Sequence, residues 1–334
     1  MSLSSHSCAG TALENLLDDA ELSNWMFELN RSNRQLEFNK SVNYELLMHY
    51  GIPVPTSRPF HSTTELAQGL KQPFPFVVKF DTPCMLGIQT VVVKSSEDFQ
   101  TVFRTAQRLK SMNGITQQFV IGKEYTVTVL VGANNWIELG SAVDHKQQYE
   151  QGQGLNTFGT GSMAPCWYVH PETQQIIDKT VDALRTQHNY RGMLSCQFIV
   201  EPNGQLWLLE YNTRFCDPEF QSMSTRLNQQ LVTALKQSQT DATIDAITQA
   251  ELNAVTVCLI HKDWPNTQPH REELALPSNN FKVYQCHGVW AEHTYWGSIT
   301  NSGTRSHQEL AQEIYDWLDT VDVTPYRYRK DIGK

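Results

Sequence analysis

The residues best suited to chemistry in this chain lie where an apolar run ends in a carboxylate, an amide and a guanidinium, at Glu210, Asn212 and Arg214. Alternate side chains of an extended strand share a face. Glu210 and Asn212 are therefore predicted to project together, while Leu209 and Tyr211 turn into the core.

This trio suits a metal-bound phosphate. A carboxylate and an amide offer the hard oxygen ligands that Mg²⁺ prefers, and the ion keeps its remaining positions for water or substrate phosphates. The guanidinium of Arg214 can bind a phosphate through two parallel hydrogen bonds. The alternative is a solvated strand end that carries ordinary polar residues.

The composition limits the classes of partner. The 334 residues carry a formal net charge of -9 and no block of basic residues, whereas a nucleic-acid backbone needs clustered Lys and Arg. We expect no nucleic-acid partner, but small anionic substrates remain possible because the local charge of a site matters more than net charge.

Residues 1–17 hold no continuous apolar run, so no signal peptide or membrane span is expected. Seven cysteines without a CxxC pair favour buried thiols in a reducing compartment, and a cytoplasmic location is predicted.

Hydropathy patterns indicate strands and helices on both sides of the trio. Phe76–Lys79 and Val91–Lys94 are predicted to pair as strands, followed by a helix over 97–109 with a capping box at its start. Two further strand signals lie between 117 and 131, and 145–161 is predicted to be a glycine-rich loop.

The trio is predicted to end a hairpin. Its strands are Leu194–Val200 and Leu206–Tyr211, joined by a Pro-Asn-Gly turn, and an amphipathic helix with Ile176 and Leu184 on one face precedes them. The tail is predicted to contain two strands and a helix, at 255–260, 281–285 and 310–318.

Five short motifs occur in order along the chain, at Gly122–Tyr125, Asp144–Lys146, Gly154–Thr157, Leu209–Glu219 and Tyr328–Gly333. From about residue 39 onward the chain resembles the ATP-grasp superfamily and, within it, the glycinamide ribonucleotide synthetase family, also called phosphoribosylamine-glycine ligases. The resemblance implies an α+β, ATP-grasp fold, in which two α/β lobes sandwich the nucleotide, with a small C-terminal α/β domain. The implied divisions are an N-terminal arm at 1–37, an ATP-grasp region at 38–255 with its small lobe at about 74–137, and a C-terminal domain at 256–334.

Members of that family join a carboxylate to an amine. ATP phosphorylates the carboxylate, the amine attacks the acyl phosphate, and a divalent metal bridges the phosphates. The resemblance thus implies ATP and Mg²⁺, or Mn²⁺, as cofactors. Such chemistry requires positioning and charge neutralisation rather than a protein nucleophile.

The resemblance also implies roles for individual residues. Lys79 would reach the phosphates of ATP and Arg214 would stabilise the transferring phosphoryl group, as the catalytic cations. Glu210 and Asn212 would ligate the metal, and Glu124 would accept hydrogen bonds from the ribose. The segment between the lobes would bind adenine through its backbone, at Gln117, Phe119 and Val120.

Five more positions match the pocket for the carboxylate and amine substrates in that family, and they are Asp144, Lys146, Asn156, Thr157 and Asp217. Asp and Asn also favour turns because they bond to the nearby backbone. A role in loop structure alone is therefore the alternative for each of the five.

Departures from the family pattern indicate changed substrates. The family's phosphate loop has a Gly-Lys-Gly core, whereas Leu86–Thr90 retains a single glycine, which weakens its expected grip on phosphate. Residues 1–37 are too few for the doubly wound domain that opens the family's chains, and Phe158 adds bulk where the family keeps space.

We therefore predict a carboxylate-amine ligase with small-molecule substrates. The alternative is a non-catalytic or regulatory relative that binds nucleotide. Residues 1–37 are predicted to support a homo-oligomer or to dock a partner subunit.

Overall fold

Helices and strands alternate through most of this chain. The structure is a computed structural model that describes residues 12, 33, 35–82, 88–264, 274, 276–286 and 295–334. Within these residues the helices are α1 (Gln35–Phe38), α2 (Lys40–His49), α3 (Thr63–Gly69), α4 (Phe99–Leu109), α5 (Thr173–His188), α6 (Glu219–Ser224), α7 (Gln230–Ser238) and α8 (His307–Leu318). The strands are β1 (Ser57–Phe60), β2 (Phe76–Phe80), β3 (Thr90–Val93), β4 (Gly114–Gln118), β5 (Lys123–Val131), β6 (Trp136–Asp144), β7 (Gln147–Tyr149), β8 (Gln153–Asn156), β9 (Gly161–Ala164), β10 (Gly192–Val200), β11 (Leu206–Asn212), β12 (Asn253–His261), β13 (Lys282–Gln285), β14 (Tyr295–Gly303) and β15 (Tyr326–Arg327).

Two antiparallel sheets organise the described residues. The smaller has four strands in the order β1-β4-β2-β3. The larger has nine, in the order β11-β10-β5-β6-β9-β12-β14-β13, with β15 paired to β12. β7 and β8 form a separate hairpin, and Gln147 and Asn156 of this hairpin line the cavity described below.

Several secondary-structure elements were predicted correctly from short stretches of sequence. β2 pairs with β3 as predicted, with Phe76 opposite Val93. The capping box of Ser95 and Asp98 is present, although the first turn after it is a 3-10 helix over Ser96–Asp98. α2 stops before Gly51, whose φ of 63° few other residues adopt.

Strand partners departed from the sequence expectation. The small-lobe limits of about 74–137 include β5, yet β5 pairs with β10 and β6 in the larger sheet. The division at 255/256 falls inside β12, which continues the sheet through β9 and β14. The predicted loop 145–161 contains the hairpin β7–β8, and β6 and β14 were not predicted. A hydropathy pattern can identify a strand, but it does not show which strand pairs with it. The domain limits therefore stay predictions.

One side of the larger sheet is apolar, and the other carries a polar patch that forms the site. Leu194, Cys196 and Phe198 of β10 lie in the core with the apolar side of α5, including Ile176 and Leu184. On the opposite side the middle residues of β10 and β5 are polar, with Thr128 Oγ1 bonded to Ser195 Oγ at 2.9 Å, whereas Met193 and Leu130 beside them belong to a second apolar cluster. Polar side chains on this face line a cleft against the smaller sheet.

Four of the described cysteines are buried free thiols, and one is not. The free thiols of Cys166, Cys196, Cys216 and Cys258 are buried, as expected, whereas Cys286 is disulfide-bonded, which the cysteine spacing did not indicate. In the described part of the chain, no helix combines the length and apolar character needed to cross a membrane. Of the predicted arm, only positions 12, 33 and 35–37 are described, so its oligomeric or docking role stays a prediction.

Candidate active site

A cavity of about 330 Å³ separates the smaller sheet from the polar face of the larger one. All of the site residues predicted from the sequence line it, and these are Lys79, Gln117, Phe119, Val120, Glu124, Asp144, Lys146, Asn156, Thr157, Glu210, Asn212, Arg214 and Asp217. Residues as far apart in the chain as 79 and 217 therefore share one site.

A β-bulge in β11 turns Glu210 toward the cleft. Gln197 pairs with Glu210 and Phe198 with Leu208, so Leu209 is an extra residue in this strand. Without it, Leu208 and Glu210 would share a face, but Leu208 is fully buried in the core while Leu209 and Glu210 line the cavity. The prediction that Leu209 turns into the core was wrong because the bulge interrupts the two-residue alternation.

Two lysines converge on Glu210. Lys79 Nζ, from the smaller sheet, lies 3.6 Å from Glu210 Oε2, and Lys40 Nζ lies 3.1 Å from the same oxygen. Lys79 also donates to the carbonyl oxygen of the bulged Leu209 at 3.1 Å. Although burial opposes it, Lys40 and Lys79 hold the pKa of Glu210 well below its usual range. Glu210 is thus ionised, and Lys40 is a site residue that the sequence argument missed.

The donor atoms of Glu210 and Asn212 fit Mg²⁺. Asn212 Nδ2 donates to Cys216 Sγ at 3.3 Å, so the amide oxygen is the atom that would ligate the ion. Within the described ranges, no group of three or more His, Cys, Asp and Glu residues is placed to hold a metal. One carboxylate and one amide suit an ion that takes its other ligands from phosphates and water.

Arg214 is held in one orientation. Its Nη2 and Nε donate to Glu37 Oε1 at 2.9 and 3.2 Å, and its Nη1 donates to the carbonyl oxygen of Phe215 at 3.0 Å. The guanidinium also lies over the ring of Phe158, 5.5 Å from its centroid. Burial lowers the pKa of Arg214, but the Glu37 carboxylate more than offsets this, so the group stays charged.

Lys146 joins residues to which different roles were assigned. Its Nζ lies 2.7 Å from Glu124 Oε2 and 3.0 Å from Gln197 Oε1. Burial opposes the charge, but Glu124 and Asp144 raise the pKa of Lys146 above its usual value. The predicted ribose acceptor and the predicted substrate lysine are therefore an ion pair, which leaves the second oxygen of Glu124 for a ligand.

Two carboxyl groups, those of Asp144 and Glu219, lie close to each other in the lining of the cleft. Asp144 Oδ1 is buried without a hydrogen-bond partner among the described residues. Burial and then the proximity of Glu219 raise the pKa of Asp144 well above its usual value. Glu219 is only 1% exposed and accepts a bond from Thr126 Oγ1 at 3.0 Å. No role was predicted for Glu219, although it lies in the motif that contains Asp217.

Local hydrogen bonds shape the loop that follows β6. Thr157 Oγ1 donates to the carbonyl oxygen of Lys146 at 2.8 Å and accepts from Gly159 N at 2.9 Å. Asn156 Oδ1 accepts from Gln147 Nε2 at 3.4 Å. These contacts are turn chemistry, and the substrate roles of Asn156 and Thr157 stay predictions.

The residues predicted to bind adenine lie where the chain passes between the sheets. Phe119 and Val120 sit between β4 and β5 and line the cavity. Gln117 Nε2 donates to Ser57 Oγ at 3.0 Å, which ties this side chain to β1. Of the predicted phosphate loop, residues 83–87 lie outside the described residues, and Gln89 and Thr90 line the cavity.

Two sheets closing on such a cleft define an ATP-grasp protein, and solved structures share this fold. The crystal structure of phosphoribosylamine–glycine ligase from Thermotoga maritima matches with a TM-score of 0.76 at 21% identity, covering 89% of this chain and 79% of that chain. The biotin carboxylase domain of 2-oxoglutarate carboxylase from Hydrogenobacter thermophilus, solved with MgADP and bicarbonate, matches with a TM-score of 0.66 at 13% identity over 88% and 68% of the two chains.

The sequence comparisons are more specific. The family model for the phosphoribosylglycinamide synthetase ATP-grasp (A) domain matches residues 38–220, more than half of the chain, which therefore belongs to this family. A phosphoribosylamine–glycine ligase from Synechocystis is 27% identical over 331 residues, covering 92% of this chain and 78% of the relative. One from Pasteurella multocida is 29% identical over 321 residues, covering 90% and 74%. The predicted class, an ATP-dependent ligase that forms carbon–nitrogen bonds, is confirmed.

Proposed function

We propose that this protein uses ATP and Mg²⁺ to activate a small carboxylate as an acyl phosphate and join it to an amine, with the cleft residues in their predicted roles. One observation carries the proposal. Lys79 of the smaller sheet meets Glu210 of the larger one at 3.6 Å, at the edge of an open cavity of about 330 Å³. A phosphate chain in that cavity would have cations on one side and metal ligands on the other.

The cationic side chains would contact the phosphates, and the oxygen-bearing side chains would bind the metal. A carboxylate oxygen of the substrate attacks the terminal phosphorus of ATP and ADP leaves; the amine then attacks the acyl carbon and inorganic phosphate leaves. Lys79 and Lys40 would neutralise phosphate oxygens, and Arg214 would meet the charge that develops on the transferring group. When bound at Glu210 and Asn212, Mg²⁺ would supply further positive charge to the phosphates.

The acceptor end of the cleft supports substrates that differ from those of the named relatives. Asp144, Lys146, Asn156, Thr157 and Asp217 would bind the carboxylate and the amine. Phe158 lines this end beside Arg214 and occupies space. We propose that at least one substrate is not the glycine or phosphoribosylamine of those relatives' names.

ADP release in the presence of Mg²⁺ tests the proposal, measured across a panel of carboxylates and amines that includes glycine and phosphoribosylamine. Glu210→Ala should reduce turnover to background, whereas Glu251→Ala, an exposed carboxylate outside the cleft, should not. Full activity of Glu210→Ala would remove the metal role. Stabilisation by ATP and Mg²⁺ without turnover of any pair would instead support the non-catalytic nucleotide binder, which the ligase relatives do not favour.

The cytoplasmic location predicted from the cysteines remains part of this proposal.

A further inference from the structure

We propose that Glu37 is a positioning residue for the reaction, which holds the guanidinium of Arg214 in the orientation that meets the transferring phosphoryl group. The inference rests on the proposed function. Glu37 lies one residue before the matched region 38–220 and inside the segment that the sequence assigned to a peripheral arm. The active site would therefore extend into that segment.

The hydrogen-bond geometry supports a positioning role. Glu37 Oε1 accepts from both Nε and Nη2 of Arg214, at 3.2 and 2.9 Å, and Phe215 O accepts from Nη1 at 3.0 Å. A guanidinium has five N–H groups in one rigid plane, and these contacts use three of them. One N–H on each of Nη1 and Nη2 remains, and Arg214 lines the cavity. The plane of the Arg214 guanidinium is thus fixed by three hydrogen bonds, while two of its N–H groups remain to donate to a phosphoryl oxygen.

Burial makes this pair different from an ordinary surface ion pair. The side chains of Arg214 and Glu37 are only 14% and 7% exposed. Charge-assisted hydrogen bonds shielded from water are short and directional, whereas exposed pairs contribute little. Without Glu37, a long side chain with several rotatable bonds would have to find its catalytic orientation anew in each turnover.

A second contact anchors the same stretch. Thr213 Oγ1 donates to the carbonyl oxygen of Asn33 at 3.3 Å, and Asn33 Nδ2 donates to the carbonyl oxygen of Arg191 at 3.4 Å. Positions 33 and 37, one helical turn apart in sequence, thus hold two consecutive residues that follow the metal-ligand strand. The arrangement constrains backbone and side chain together.

The test compares wild type, Glu37→Gln, Arg214→Lys and the double variant. Glu37→Gln keeps the shape and one acceptor oxygen but removes the charge. It should lower kcat by about 10- to 100-fold, since an ångström's misplacement of a catalytic group can cost about 100-fold, and change KM for ATP less than about threefold. In the Arg214→Lys background the same change should cost less than about twofold, because coupled residues are not additive. Glu45→Gln, an exposed carboxylate on α2, is the matched control and should leave kcat unchanged.

A readout without turnover separates this inference from the proposed function. ADP with Mg²⁺ and aluminium fluoride, a mimic of the transferring phosphoryl group, should raise the melting temperature more than ADP with Mg²⁺ alone. That extra stabilisation should disappear in Glu37→Gln and Arg214→Lys but persist in Glu45→Gln. Absence of turnover in wild type would sink the ligase proposal, while a lost aluminium fluoride effect in Glu37→Gln would still support Glu37.

Three results would overturn the role of Glu37. One is an unchanged kcat with a lowered melting temperature, which is a structural role only. The second is an equal loss of kcat in the wild-type and Arg214→Lys backgrounds, since Glu37 would not then act through Arg214. The third is an aluminium fluoride response that Glu37→Gln retains in full.

Discussion

Asp144 is the residue at which the cleft most clearly opposes stability. Its Oδ1 is buried without a partner in the described residues, and a second carboxyl group, Glu219, lies close to it. The pKa of Asp144 is raised in the folded protein and ordinary in the unfolded chain. The folded state therefore binds the proton of Asp144 more tightly than the unfolded chain does. The resulting stabilisation of the fold is fully present below the unfolded pKa and is lost as the pH rises through the folded pKa.

Asp144→Asn should therefore stabilise the ligand-free protein at neutral pH, because an amide of the same shape cannot ionise. We expect the melting temperature to rise by roughly 2 °C or more at pH 7.5 and by less at pH 4, while turnover falls. Calorimetry at both pH values measures this, with the exposed Asp182→Asn as the control. An equal shift at the two pH values would contradict the assigned titration.

At the scale of elements, the C-terminal residues hold the loop after β6 in place, which carries residues predicted to bind the substrates. Arg329 Nη1 donates to the carbonyl oxygen of Gln147 at 3.0 Å, and its Nε and Nη2 bind Asp331 at 2.7 and 2.6 Å. Asp331 Oδ2 accepts from Gln151 N at 2.9 Å. Burial and nearby Arg329 lower the pKa of His145, in the same loop, to about 4, so that this histidine is neutral at pH 7. The motif Tyr328–Gly333 is thus a clamp on the loop that carries the predicted substrate residues.

Arg329→Ala and Lys330→Ala form a matched pair, since both residues bind a carboxylate but differ in burial. Arg329 is 4% exposed, while Lys330 and its partner Asp319 are about half exposed. Removing one side of a buried pair costs about 3–5 kcal/mol of unfolding free energy, and an exposed pair contributes about 1 kcal/mol or less. Urea unfolding measures both, and similar losses would argue against the clamp. Arg329→Ala should also raise KM for the carboxylate or the amine more than KM for ATP.

At the scale of the whole molecule, side chains of the smaller sheet contact the larger sheet across the cleft. Lys79 crosses from the smaller sheet to Glu210 and to the bulge carbonyl of Leu209. Ile88, just after the undescribed part of the phosphate loop, packs against the second apolar cluster of the larger sheet, as does Phe158. A nucleotide bound between these contacts would link both sheets and stabilise the folded chain as a unit.

ATP with Mg²⁺ should accordingly raise the melting temperature, since a ligand at 100 times its Kd contributes about 2.7 kcal/mol. Lys79→Ala should lose most of this shift because phosphate binding weakens, whereas Lys71→Ala, on the exposed surface of the same lobe, should keep it. Thermal unfolding over an ATP titration gives the result. Identical shifts in the two variants would separate Lys79 from nucleotide binding.

Residue type and local spacing were sufficient to find strand β11, its side-chain oxygens, helix α4 with the capping box before it, and the motifs that identify the family. These features depend on neighbours two to four positions away, which a single sequence displays directly. Tertiary structure alone decided that Leu209 lines the cleft rather than the core, because the bulge at this residue interrupts the alternation that its neighbours predict. It alone joined Arg214 to Glu37, 177 positions earlier, and β5 to the larger sheet, since contacts at such separation leave no trace in local periodicity.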